Sequence, residues 1–469
     1  LGGLRGFRTL GIPAGLLAAF SLCAAASLFA AVRALLPYSS AKPVLEAQGD
    51  QIPAGLRNAD ESKWTAWARE QDKAIRARLE QGDLDSMVNL LLYGTSFTRQ
   101  PRIRMESLTE ASRSGVLRAR VDDLAAGLRR PGDNQRLQFL QRLVRRHGVD
   151  PDAADGPGQT GAFLYKNLLR VLEERKTLAA RAAKAGSAAR LDDPASLLDR
   201  ASLFGDRGLS LDTGIFPDFT IEQTLRDLKK RGVLGQGQVT RVAVIGPGLD
   251  FIDKNEEAAF DYYPEQTLQP FALYDSLARL GLAKPGGLSI SVLDISARVI
   301  EHLQNARERA RKGDGYVIQL PRDVSRPWPA DVVTYWSSMG DQAGTAVAPI
   351  RPPEIFSDLP ARAVRIRPEV VLACQPLDVD VVLQHLDLAA ADRFDLMVAT
   401  NVFVYYDAFE QALALANAAA MLKPGGLLLT NDRLPVAAHG AMRLAGVTEV
   451  PFDVPGASAR QAVGWYQKK

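Results

Sequence analysis

The chain has 469 residues, 46% hydrophobic and 24% charged, and 57 basic against 54 acidic residues leave a formal net charge of +3. At roughly 100–200 residues per domain, this composition fits an ordinary globular protein of two or three domains. It excludes a disordered chain, a collagen-like chain and a polytopic membrane protein, and so even a charge balance gives no global field for nucleic acid.

Arg5 and Arg8 precede an apolar run over residues 10–32 that contains Cys23. The run exceeds the roughly 7–15 residues of a signal-peptide core and approaches the ~20 of a spanning helix. Residues 1–36 are therefore expected to be a signal peptide or a membrane anchor, with membrane association through residues 10–32, or export if the segment is cleaved. Small residues around Ala34 and Ala41 offer cleavage sites, and Arg33 and Lys42 offset Arg5 and Arg8, so orientation is not set. Residues 37–58 carry Pro, Ser and Gly without periodicity and read as a linker.

Residues 59–204 read as an α-helical domain. Trp64, Trp67, Ile75 and Leu79 recur at helical spacing up to Gly82, and a second apolar run over 87–93 stops at Gly94. Further helices are expected over 116–128, 137–144 and 163–185. Arginine is dense here (Arg113, Arg118, Arg120, Arg129, Arg130, Arg136, Arg142, Arg145, Arg146), but acidic residues are interspersed and no aromatic residues alternate with it. That favours a solvated helix face over a nucleic-acid surface. Residues 205–238 read as a connecting segment.

From Val239 onward the pattern changes. Short β-branched runs over 241–245, 289–293, 316–320, 370–373, 395–399 and 426–430 alternate with helical stretches over 268–281, 297–311, 379–385 and 408–422. Such alternation specifies a mostly parallel sheet covered on both faces. Residues 447–452 and 461–466 suggest a terminal hairpin. Two cysteines give no disulfide framework, and the four histidines (His147, His302, His385, His439) lack metal-ligand spacing, so no metal is expected.

Four local signals carry chemistry. The first strand runs into Gly246-Pro247-Gly248, where the missing side chains let a ligand approach the backbone; a dinucleotide fingerprint would need glycine at Phe251. Asp294 ends the second strand, where an acid can accept both ribose hydroxyls or cap the next helix. The stretch 393–407 is a buried strand ending in Thr400, Asn401 and Val402, then aromatic residues. The stretch 421–432 is a helix end, a Lys423-Pro424-Gly425-Gly426 turn and another buried strand.

In this order the four elements resemble the class I S-adenosylmethionine-dependent methyltransferases over residues 239–469. The stretch 394–407 is also similar to its counterpart in chemotaxis-receptor methyltransferases. The resemblance implies a Rossmann-like, mostly parallel seven-stranded sheet with a C-terminal antiparallel hairpin, and S-adenosylmethionine as cofactor. It implies that Gly246 and Gly248 flank the methionine moiety, that Asp294 holds the ribose, and that Asn401 and Val402 lie beside the methionine. Pro247, Asp250 and Ile295 complete the implied cofactor-lining set, and Asp378 is the candidate for the adenine amino group. Asn401, Tyr405 and Tyr406 are the candidate catalytic groups, with packing under the next helix the competing expectation for both tyrosines.

The sequence departs from the family in three places. Val244 stands where an acid is usual, Asp250 where a third glycine is common, and Gly248 lies about twice the usual distance from Asp294. The excess, 253–263, and a second insertion over 336–367 are expected to form a lid or substrate wall with Tyr262 and Tyr263. The function expected is methyl transfer by in-line displacement to a small-molecule or protein acceptor that the sequence does not identify. Competing expectations are a catalytically silent sensor or scaffold at or beyond the membrane, and an NAD-linked oxidoreductase.

Overall fold

The structure is a computed structural model and describes residues 32–49, 52–100, 102–103, 110–185, 214–250, 260–284, 286–324, 327–354, 358–435, 440–454 and 457–469. The chain forms strand β1 (Val32–Leu35), then helices α1 (Tyr38–Gln48), α2 (Glu61–Tyr93), α3 (Glu110–Arg129), α4 (Gln135–Arg146), α5 (Gly156–Ala185) and α6 (Ile215–Lys230). The alternating part follows with β2 (Arg241–Ile245), α7 (Gln269–Arg279), β3 (Ser289–Asp294), α8 (Ala297–Arg311), β4 (Tyr316–Pro321) and α9 (Ala330–Ser338). Next come β5 (Gly344–Val347), β6 (Ala361–Ile366), α10 (Pro368–Ala373), β7 (Cys374–Asp378), β8 (Gln384–Asp387) and β9 (Phe394–Ala399). The chain ends with α11 (Ala408–Met421), β10 (Leu422–Thr430), β11 (Met442–Val454) and β12 (Ala457–Lys468).

Seven strands make one sheet in the order β11-β12-β10-β9-β2-β3-β7. Pairing is parallel from β10 through β7, and β12 runs antiparallel to both β10 and β11. The expected mostly parallel sheet with its terminal hairpin is thus present. Strand β2 divides its side chains between two cores, Val242 and Val244 on one face and Ala243 and Ile245 on the other, as the two-residue repeat of a strand requires. The first face is covered by α6, α7 and α8 through residues such as Leu225, Leu277 and Leu303. The second is covered by α11, by α1 through Ala41, Val44 and Leu45, and by the first half of α2 through Trp64, Ala68 and Ile75. A third core, with Leu91, Leu124, Leu140 and Leu164, lies inside α2–α5.

Several expectations are corrected. The stretch read as a linker contains α1, whose buried Ala41, Val44 and Leu45 have helical spacing; Pro43 lies inside the helix and leaves it one backbone donor short. Gly82 does not end a helix, because α2 runs unbroken through it from Glu61 to Tyr93. One glycine costs about 1 kcal/mol of helix propensity, less than the apolar burial on both sides of it returns. Residues 368–373 are helical rather than extended, with Pro368 at the first position where its missing N–H is harmless, and the strand begins at Cys374. The helix expected over 379–385 is instead a turn leading into β8. Strand β4 leaves the main sheet and joins a separate antiparallel sheet in the order β4-β6-β5.

The expected signal or anchor lies outside the described residues up to residue 31. Its last residues form β1, paired antiparallel with β8, and Leu36 is buried. Among the described residues no helix is long and apolar enough to cross a membrane.

Candidate functional site

From β2 the chain builds outward to β3 and β7, then returns to the other side of β2 with β9 and β10, so strand order reverses between β2 and β9. Open α/β sheets bind ligands in the crevice at the carboxyl ends of the strands beside such a reversal. Gly246 and Gly248 stand there with φ of +59° and +68°, a region costly for residues with a Cβ. Gly246 donates its N–H to the Leu293 carbonyl at 2.8 Å, and a Cβ on it would lie 2.8 Å from Val402 Cγ2. The glycine turn of β2 and the end of β9 therefore touch, with Pro247 buried between the two glycines.

Asp294, at the end of β3, is buried and accepts from the Ser296 N–H through Oδ1 at 2.8 Å. Its Oδ2 is buried with no partner. Burial pushes this carboxyl up to about 6, with the charge of Asp378 adding to the shift. Asp378 lies opposite Asp294 in the β3–β7 register. Both its oxygens are engaged, Oδ2 by Arg33 at 2.7 Å and Oδ1 by Arg76 at 2.8 Å. Arg76 also reaches the carbonyl of Ile295 at 3.4 Å.

Asn401 adopts φ +57°, uncommon for a residue with a side chain. A reciprocal pair holds it: its N–H donates to Asn431 Oδ1 at 2.8 Å, and its own Oδ1 accepts from Asn431 Nδ2 at 2.7 Å. Tyr405 is half-buried and its carbonyl accepts from Arg78. Tyr406 is buried beneath α11, where burial holds its hydroxyl well above the ordinary range, so the packing expectation describes it.

Asp250 turns its carboxylate into the protein. Oδ2 accepts from Tyr263 Oη at 2.6 Å and from Gln266 Nε2 at 3.0 Å, while Arg136 donates to its carbonyl at 2.9 Å. The described part of the first insertion is a tether. Tyr263 is buried, with its carbonyl and ring held by Arg136, and Tyr262 packs edge-on against it at 5.2 Å. Asp261 accepts from the N–H groups of Thr95 and Ser96, both at 2.9 Å, just beyond the end of α2.

Sequence reasoning missed the contribution of α2, which crosses the carboxyl edge of the sheet. Arg76 serves β3 and β7, Arg78 the loop after β9, and Gln71 donates to Glu410 of α11 at 2.9 Å. The Asp72–Arg76 pair, four residues apart at 3.0 Å, marks helix surface in the sequence but not which surface it meets. Two further buried groups were unmarked. Gln269 donates to Thr400 Oγ1 at 2.6 Å, and Asp380 beside Asp72 is pushed up by burial.

No family model and no curated protein matches the chain. Among solved structures it is similar to TrmN from Thermus thermophilus, at 14% identity over 58% of this chain and 52% of that one, with a TM-score of 0.24. It is similar to a TehB-like SAM-dependent methyltransferase from Corynebacterium glutamicum at 12% identity, covering 55% of this chain and all of that one, 100%, with a TM-score of 0.23. It is also similar to MtNAS, in complex with MTA and tNA, at 10% identity over 77% and 100% of the two chains, with a TM-score of 0.25. These overlaps decide nothing by themselves; strand order and pairing give a mostly parallel seven-stranded sheet with a terminal antiparallel hairpin, the arrangement expected from the sequence.

Two features fit an adenosyl cofactor. The left-handed glycine turn leaves backbone without side chains at the carboxyl end of β2, and the orphaned Asp294 oxygen is an acceptor in need of a hydroxyl donor.

Proposed function

We propose that the chain is an S-adenosylmethionine-dependent methyltransferase. The observation that carries the reading is Asp294 Oδ2, a buried acceptor without a partner at the end of the second strand of the sheet, beside a left-handed glycine turn. A buried unsatisfied carboxylate oxygen costs stability, and the two hydroxyls of a ribose would satisfy it.

Bound S-adenosylmethionine supplies a methyl group on a sulfonium, a good leaving group. What the protein adds is alignment and the exclusion of water. Gly246 and Gly248 would bring backbone against the methionine, and Asp294 would accept from the ribose. The Asn401–Asn431 pair would fix the loop at the methyl, and Arg76 and Arg78 of α2 would close the edge. With both carboxylate oxygens engaged by arginines, Asp378 would close the adenine side through those ion pairs. The methyl acceptor is small-molecule or protein. The apolar run over 10–32 ends where β1 begins, and Arg33 reaches Asp378, so attachment through that run would hold this side of the site at a membrane surface.

Calorimetric titration of S-adenosylmethionine and S-adenosylhomocysteine into the full chain tests the reading. Micromolar binding is expected, weakened roughly 10–100-fold by Asp294→Ala, the worth of hydrogen bonds to a charged group. No binding by the folded chain would overturn the proposal and leave a silent scaffold.

A further inference from the structure

Helix α6 ends before β2 starts at the amino edge of the sheet, so its first turn lies at the carboxyl edge. Helix α7 follows the glycine turn of β2 and begins at that same edge. Each places a buried polar residue there: Asp218 in the first turn of α6, and Gln269 as the first residue of α7. Gln269 Nε2 donates to Thr400 Oγ1 at 2.6 Å, next to Asn401, and the Gln269 side chain lies beside the Asp218 carboxyl, whose shift it opposes. Asp218 thus connects through one side chain to the end of β9, on the acceptor side of the glycine turn.

Three buried polar atoms in this corner lack a partner. Asp218 Oδ2 and Gln269 Oε1 are both buried without a partner, and so is the Tyr335 hydroxyl, whose ring packs on Phe219 at 5.7 Å. The neighbouring carboxylates are accounted for. Glu222 accepts from Ser276 at 2.8 Å and pairs with Arg226 at 3.0 Å; Asp275 accepts from the Gln342 N–H at 2.6 Å and pairs with Arg279. Among the described residues no cation pairs with Asp218. An ionised Asp218 beside a neutral amide is costly, so burial favours its protonated form, and the complement that stabilises the charged form is a group carrying N–H bonds and positive charge.

We propose that Asp218 and Gln269 form the acceptor pocket of this site and select an amine, the acceptor nitrogen presenting its N–H bonds to Asp218 Oδ2 and Gln269 Oε1. This rests on the methyltransferase reading. The acceptor ammonium first gives up one proton; the freed nitrogen lone pair then forms the new C–N bond, and the C–S bond breaks with its electron pair left on sulfur. The proton lost from nitrogen passes to Asp218 Oδ2 and on to water. Burial pushes the Asp218 carboxyl up to about 8, within the range where a base can accept and release a proton near neutral pH.

The test compares two nucleosides on the full chain. S-adenosylhomocysteine carries no charge where the methyl would be, whereas sinefungin carries an ammonium there. Wild type is expected to bind sinefungin at least tenfold more tightly than S-adenosylhomocysteine. Asp218→Asn is expected to abolish that preference while changing S-adenosylhomocysteine affinity less than twofold. Gln269→Leu, expected to reduce the preference severalfold, serves if Asp218→Asn does not fold. No preference in wild type, or an equal preference in folded variants, overturns the amine pocket alone. Failure of wild type to bind either nucleoside overturns the cofactor reading and the pocket with it.

Discussion

Asp294 makes cofactor binding pH-dependent, with a fixed sign. Its carboxyl titrates near 6 in the folded chain, above its ordinary value of 3.8. Ribose hydroxyls donate to the ionised form, so affinity for S-adenosylhomocysteine is expected to fall about tenfold per pH unit below 6, and Asp294→Asn to bind weakly with a flat profile. The effect on stability runs the other way. A raised carboxyl contributes fully below about 4, and that contribution is lost as pH rises through 6, on the order of 2–3 kcal/mol, so Asp294→Asn should flatten the melting-temperature profile in that window. Gly246 offers a second test at this scale. Gly246→Ala combines a left-handed φ with a 2.8 Å approach to Val402 and is expected to abolish nucleoside binding. Gly246→Ala with Val402→Ala should recover only part of it, because the second change removes the clash and not the backbone strain. The strand-end positions of Gly246, Val402, Asn401 and Asp294 were legible in the sequence because each strand has its own local pattern. Asp218 and Gln269 were not, because they meet across 51 residues of chain for a reason only the packed sheet edge supplies.

Among the elements, α2 differs most from its sequence pattern. A periodicity search finds one apolar stripe, but α2 turns Trp64, Ala68 and Ile75 toward the sheet and Leu84 to Tyr93 into the helical core, so its stripe changes direction along its length. Gly82 then reads as a terminus when it is only a crossing point. Ala77, exposed shortly before α2 passes from one core to the other and flanked by Arg76 and Arg78, is the place to break it. Ala77→Pro should cost about 3 kcal/mol or more and split thermal unfolding into two transitions, with nucleoside affinity reduced. One unchanged transition would show that the two cores do not depend on this helix. Of the first insertion, expected as a lid, residues 253–259 lie outside the described residues; in the part described, Tyr263 and Asp261 fasten the glycine loop to the end of α2. Asp261→Ala should raise hydrogen exchange at Thr95 and Ser96 and around Asp250 together; a rise confined to α2 would refute that coupling.

Across the whole molecule, most of the alternating half was readable because its sheet strands and long helices announce themselves within about ten residues, whereas the short stretches 370–373 and 379–385 did not. What the sequence concealed is that the second face of the sheet is closed by chain from the other end: β1, α1 and the first half of α2. The Trp64 indole, fully buried there and donating to the Leu36 carbonyl at 2.7 Å, locks these pieces together, and Trp64→Ala should cost about 3–5 kcal/mol in a chemical-denaturation midpoint.

The Arg33–Asp378 ion pair joins residues 345 positions apart. Ribosomes add roughly 5–20 residues per second, so the first strand of the fold leaves the tunnel on the order of 20–70 seconds before its partner exists. Throughout that interval β1 and the apolar faces of α1 and α2 have no sheet to cover. Synthesis of this protein therefore includes an obligatory wait, and whatever shelters the early segment during it governs the yield of native chain.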